Sequence, residues 1–227
     1  MNYAKGAIAL VGSGEYSVQM QELESELLHL AISRGKRKTF IQIPTASSHE
    51  GEASREKWKR LGQEQSERIG SECIYLPIHE RSDAFDSAHV AAVADAGLIY
   101  FSGGDPHRVA EIFSGSPLWE AIVAEWNTGT SLAGCSAGAM ALGGTIMGLR
   151  KAHHSPGLGL LPGIEVIPHY DKMLGWLPDR VATFIARGVT QTTLLGIDEY
   201  TALVLTDAWR KFGTGNVHVL RGSLEII

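Results

Sequence analysis

SLAGCSAGAMALGG, residues 131–144, opens as a strand and closes as a helix, and its middle decides the fold. The lead-in TSLAGC (130–135) is apolar enough for a buried strand, and AGAMALGG (137–144) has the small side chains a helix needs to pack closely beneath a sheet. Between them Gly134, Ser136 and Gly138 form G-x-S-x-G, the pattern in which a strand turns sharply into a helix and holds the central side chain in the open. Glycine flanks that centre because a Cβ would collide in so tight a turn. Ser136 is therefore the exposed residue, and Cys135 points back into the sheet.

Working outward, short apolar runs alternate with longer amphipathic stretches, the signature of βαβ units and a mostly parallel sheet. AIALVG (7–12), TFIQIP (39–44), CIYLPI (73–78) and LIYF (98–101) read as strands. Helices are expected over about 17–33, 52–70, 86–96 and 117–127, with Pro106 opening another at its first position. Beyond the elbow come IEVIPHY (164–170), a helix near 178–187, TLLGIDE (193–199), TALVLTD (201–207) and a final pair of strands turned by glycines, KFGTGNVHVLRG (211–222). The last third reads as more antiparallel, because its strands follow one another without helices. No linker interrupts the pattern, so a single α/β domain over 1–227 is expected, with helices on both faces of the sheet. In open α/β sheets chemistry gathers at the carboxyl ends of strands. Three segments end strands in this way: GGD (103–105), GCSAG (134–138) and PHYD (168–171).

The composition narrows the function. A formal net charge of -5 argues against a nucleic-acid binder, which needs a clustered positive face. The one basic cluster, RGKRK at 34–38, falls where a helix should end, and cations there complement the helix dipole. The run AIALVG is too short for a signal or membrane segment, and two cysteines, Cys73 and Cys135, give neither a disulfide framework nor metal-ligand spacing. Cytoplasmic residence is the expectation, with no cofactor, metal or membrane partner.

A serine hydroxyl attacks a carbonyl only when a base takes its proton. Of nine histidines, His29, His49, His89 and His218 read as structural or solvated, and the His153–His154 pair lacks a third metal ligand. His79 and His107 follow strand ends, but His169, directly after IEVIP, is best placed to meet Ser136. The base needs an acid to fix its tautomer, and two are available. Asp171 forms a His-x-Asp pair with His169, sharing one side of the chain if that segment is extended, and Glu199 ends another apolar run with Asp198 facing the other way. The oxyanion of acyl transfer also needs donors. The N–H of Ala137 is one, and Gly104 or Asp105 supplies the other.

Together LVGSGE (10–15), IPTAS (43–47), FSGGD (101–105), GCSAGAMALG (134–143), GLGLLPG (157–163), PHYD (168–171) and GIDEYTALV (196–204) resemble, in order and spacing, the dipeptidase E and cyanophycinase group of serine peptidases. The resemblance covers most of the chain. It implies a flavodoxin-like α/β fold, similar to class I glutamine amidotransferase domains. It also implies a metal-independent hydrolase of small peptides with Ser136 as nucleophile, His169 as base and Gly104 in the oxyanion hole. Some members place the acid soon after the elbow, but GLRKAHHSPG (148–157) has none, so the G-I-D-E-x-T-A pattern carries the role onto Glu199. Relatives that favour an N-terminal aspartate hold it with an arginine downstream of the catalytic histidine, where Arg180 and Arg187 stand. Arg180 and Asp105 are the substrate-binding candidates, and a guanidinium suits a paired contact with a carboxylate. Where cyanophycinases carry a D-Q-H-F type segment this chain has IPHYDKM (167–173). The implied partners are a small peptide substrate and, at most, a second copy in a homodimer. The rivals are amidotransferase chemistry, which would want a cysteine at position 136, and a silent ligand-binding module.

Overall fold

Five strands run parallel and form the centre of the molecule in a computed structural model that describes residues 5–148, 154–176 and 191–227. They are β1 (Ile8–Val11), β2 (Thr39–Ile43), β3 (Glu72–Tyr75), β4 (Leu98–Phe101) and β5 (Ser131–Cys135). Two antiparallel strands, β10 (Thr201–Leu205) and β11 (Trp209–Gly213), extend the sheet on the β1 side, in the order β11-β10-β1-β5-β4-β2-β3. The expected mostly parallel α/β sheet is therefore present.

Strands buried on both faces need apolar residues at successive positions, and alternate residues then feed separate cores. Ile8, Leu10, Ile41, Ile43, Ile99 and Phe101 face one core, while Ala9, Val11, Phe40, Leu98, Tyr100 and Cys135 face the other. Helices α1 (Gln21–Ser33) and α2 (Glu52–Arg68) cover the second face. The first face is covered by α3 (Ser87–Ala92), α4 (Pro106–Phe113), α5 (Pro117–Asn127) and α6 (Ala137–Leu142). Connections after β1 and β2 thus lie on one side and those after β3 and β4 on the other, as right-handed crossovers demand when the strand order reverses. The reversal falls between β2 and β4, so the ligand crevice of such a sheet opens outside their carboxyl ends.

A second, three-stranded sheet has the order β12-β9-β8, built from β8 (Ile164–Ile167), β9 (Thr193–Ile197) and β12 (Val217–Arg221). The sequence reading did not separate this sheet from the first. TLLGI and TALVL, three residues apart, belong to different sheets, and so do the two strands of KFGTGNVHVLRG. A short ladder, β6 (Thr145–Ile146) with β7 (Ser155–Pro156), lies beside α6. Helix α7 (Tyr170–Trp176) starts directly after His169, and the expected helix near 178–187 lies outside the described residues.

Two local expectations change. The stretch 86–96 is helical only over α3, which starts after Asp86 because the Asp86 side chain accepts from the N–H of Ala88. In RGKRK, Arg34 serves the helix end as expected, its Nη1 donating to the Leu30 carbonyl at 3.4 Å, but Lys36 is buried and does not; its Nζ lies 2.7 Å from Glu125 and 3.4 Å from Asp95. No helix among the described residues is long and apolar enough to cross a membrane.

Candidate active site

The turn from β5 into α6 has the geometry its glycines require. A Cβ on Gly134 would lie 2.6 Å from the backbone of Gly138, and one on Gly138 would lie 2.3 Å from the Phe101 carbonyl oxygen. Bare backbone at both positions lets the helix start against the strand that precedes it. At the centre Ser136 takes φ 50° and ψ −108°, a conformation that non-glycine residues rarely adopt. Its side chain stands out of the turn, while Cys135 is fully buried with Sγ 2.9 Å from Glu15 Oε2. Burial, with the Glu15 carboxylate beside it, pushes the Cys135 thiol well above its ordinary range. A thiol held in that way is inert, so of the two neighbours only Ser136 has both access and a partner base.

The candidate base comes from the second sheet. His169 follows β8 with φ 50°, and its N–H meets the Gly12 carbonyl, 3.3 Å away, at the end of β1. Its Nε2 lies 3.0 Å from Ser136 Oγ and its Nδ1 lies 3.1 Å from Glu199 Oε1. Glu199 occupies the three-residue turn between β9 and β10, followed by Tyr200 at φ 53°. Asp171 is in the first turn of α7, not on an extended segment, so the His-x-Asp geometry expected from the sequence does not form. Its Oδ1 instead accepts the backbone N–H of Glu199 at 3.0 Å. Asp198, facing away as expected, accepts the Asn216 N–H at 2.8 Å and lies 3.2 Å from His218 Nε2.

Two loops flank the crevice between β2 and β4. Gly104, at φ 138°, crosses close over the Ala46 carbonyl, where a Cβ would come within 2.5 Å. Asp105 gives its N–H to Ala46 and its side chain to the start of α4, where Oδ1 accepts from His107 at 2.9 Å. Of the two alternatives for the second oxyanion donor, Asp105 is thus already engaged, whereas among the described residues the Gly104 N–H has no acceptor. Ala137 supplies the amide just after Ser136. Arg180, Arg187 and His153 lie outside the described residues. Among those described, no three His, Cys, Asp or Glu side chains gather to hold a metal. His79 and His107 have other partners than Ser136 and Glu199, facing Tyr75 Oη and Ser155 Oγ respectively. The sequence reading missed Glu15, whose only mark was its place in the LVGSGE segment.

Comparison with known proteins places this geometry in context. A model of peptidase family S51 matches residues 8–211. The cyanophycinase of Nostoc sp. is 28% identical over 231 residues, covering 95% of this chain and 74% of that protein. The cyanophycinase of Geminocystis herdmanii is 24% identical over 234 residues, covering 97% and 82%. A crystal structure of a peptidase from an acI-B1 Actinobacterium matches with a TM-score of 0.92 at 43% identity, over 98% of this chain and 93% of that one. A Listeria monocytogenes EGD-e structure, provisionally named peptidase E, shares the fold at a TM-score of 0.68 and 20% identity, over 93% and 100%.

Proposed function

The chain belongs to peptidase family S51 and is a serine-type peptidase, and from that premise we propose that it hydrolyses small peptides through Ser136, His169 and Glu199. The observation that carries the reading is the unbroken line from Ser136 Oγ through the imidazole to Glu199, at 3.0 and 3.1 Å. With Glu199 ionised, Nδ1 keeps its proton and donates to the carboxylate, which leaves the Nε2 lone pair free to accept the serine proton. Ser136 Oγ then attacks the scissile carbonyl carbon while Nε2 takes that proton, and the carbonyl π electrons move onto oxygen. The N–H groups of Gly104 and Ala137 receive the oxyanion. As the intermediate collapses the C–N bond breaks, and the imidazolium returns its proton to the leaving amine. Water, activated by the same Nε2, repeats the sequence on the acyl-enzyme and releases the acid.

The preferred substrate is a dipeptide with an N-terminal aspartate, its side-chain carboxylate held by Arg180, as the resemblance to dipeptidase E suggests. The names of the relatives favour cyanophycin as a second substrate. Product release from dipeptides varied at the N-terminal residue, and from cyanophycin, decides between them when wild type and Ser136→Ala are run together. Cleavage limited to acidic N-termini and lost in Ser136→Ala, by about 10⁴-fold or more, is the expected result. Cleavage of cyanophycin alone would replace the dipeptide reading, and cleavage that survives in Ser136→Ala would overturn the nucleophile.

A further inference from the structure

One carboxylate bridges the two segments that would make the oxyanion hole. Glu15 sits in the loop after β1, partly buried, and sends its side chain under the turn that follows β4. Its Oε1 accepts the backbone N–H of Gly103 at 2.9 Å, and its Oε2 accepts the S–H of Cys135, the residue before the nucleophile, also at 2.9 Å. The partners lie 88 and 120 residues further along the chain.

The amides of the turn after β4 account for why this matters. Ser102 donates to the Ile43 carbonyl at 3.1 Å, Gly103 to Glu15, and Asp105 to the Ala46 carbonyl at 2.9 Å. The amides on either side of Gly104 are thus fixed by outside acceptors, two of them main-chain carbonyls and the third the Glu15 side chain. A Cβ on Gly103 would lie 2.6 Å from Glu15 Oε1 and 3.4 Å from the Ser136 Cβ, so the tethered amide lies directly beside the nucleophile. A buried donor without an acceptor is costly, and without Glu15 the Gly103 N–H would have to find another partner by moving the loop.

We infer that Glu15 is a positioning residue for the oxyanion hole, acting as a hydrogen-bond acceptor that locks the Gly103–Gly104 segment against the Cys135–Ser136 strand end. It touches neither substrate nor the reacting atoms; it acts through the Gly104 amide. The inference rests on the hydrolase reading above. Because an oxyanion forms only on the way to the products, displacing its donor should lower kcat and leave KM nearly unchanged.

The test compares Glu15→Ala, Glu15→Asp and Glu15→Gln by kcat and KM on whichever peptide wild type cleaves, with melting curves for each. Glu15→Ala should lose about 10- to 100-fold in kcat, less than the ~10²–10³-fold for deleting an oxyanion donor outright, with KM within about threefold. Glu15→Gln, whose carboxamide oxygen still accepts from Gly103, should recover to within about fivefold of wild type. Glu15→Asp keeps the charge but falls short by about one C–C bond, so it should resemble Glu15→Ala and carries the test if the alanine variant does not fold. Wild-type kcat in Glu15→Ala or Glu15→Asp overturns the inference, as does a Glu15→Gln as impaired as the alanine variant. A wild type that cleaves no peptide overturns the hydrolase reading instead, and this inference with it.

Discussion

Ser136, His169 and Tyr200 all take positive φ, so each of the three turns that bring Ser136, His169 and Glu199 together holds a residue in a sparsely populated conformation. The two carboxylates near the histidine have separate tasks under the proposed mechanism. Glu199 faces the imidazole, while Asp171 holds the backbone of Glu199. Glu199→Gln should therefore lower kcat by about 10²–10⁴-fold, because a carboxamide can donate to Nδ1 and favour the wrong tautomer. Asp171→Asn keeps an acceptor for that N–H and should cost less than about tenfold. Steady-state kinetics on the two variants check this, and equal losses would move the acid role toward Asp171. Ser136 was legible because its neighbours are glycines for a steric reason, a local property that sequence displays. His169 and Glu199 were legible as strand-end residues. The His-x-Asp pairing of Asp171 with His169 presumed an extended chain, whereas His169 turns straight into α7, and Glu15 was invisible because nothing near it in sequence hints at Gly103 or Cys135.

At the scale of elements, α1 and α2 meet over a buried acid. Glu24 lies on the covered face of α1 with Leu23, Leu27 and Leu28, and Gln65 of α2 donates to its Oε2. Burial raises the carboxyl of Glu24 to about 8, only partly offset by the Gln65 hydrogen bond. The folded chain thus holds this proton more tightly than the unfolded chain, where a glutamate titrates near ~4.3. The stability it contributes is complete below that lower value and is lost as pH rises to about 8, on the order of 3–5 kcal/mol in all. Glu24→Gln, always neutral, should match wild type in urea midpoint near pH 4.5 and exceed it near pH 8; parallel curves for the two proteins across that range would show that Glu24 does not titrate there. The helices themselves were legible, α1 as an amphipathic stretch and α2 from its dense charge. The buried acid was not, since Glu24 sits among charged residues in QELESELL, and only the packing of α2 takes it out of water.

The whole molecule divides the proposed triad between its sheets. Ser136 ends a strand of the large sheet, His169 ends a strand of the small one, and Glu199 lies in the turn that passes from one to the other. The succession of strands and helices was readable from the sequence, but strand partners were not, because β9 and β10 are equally apolar neighbours that pair with different sheets. Leu195 of β9 and Leu10 of β1 are buried in the same core, so the small sheet is located by apolar packing as well as by the bond from the His169 N–H, just after β8, to the Gly12 carbonyl. Leu195→Ala should destabilise the chain by about 2–4 kcal/mol. It should also lower kcat while the downfield proton resonance of His169 Nδ1–H persists, because that proton faces Glu199 rather than Ser136; loss of both together would show that the three groups move as one. Under the proposed mechanism, a nucleophile on one sheet and a base on the other form a gauge that tolerates little slip, for a misplacement of ~1 Å can cost about 10²-fold in rate. Under the proposed mechanism, activity should therefore fall on warming before the melting transition and recover on cooling, which rate and melting curves recorded together would check.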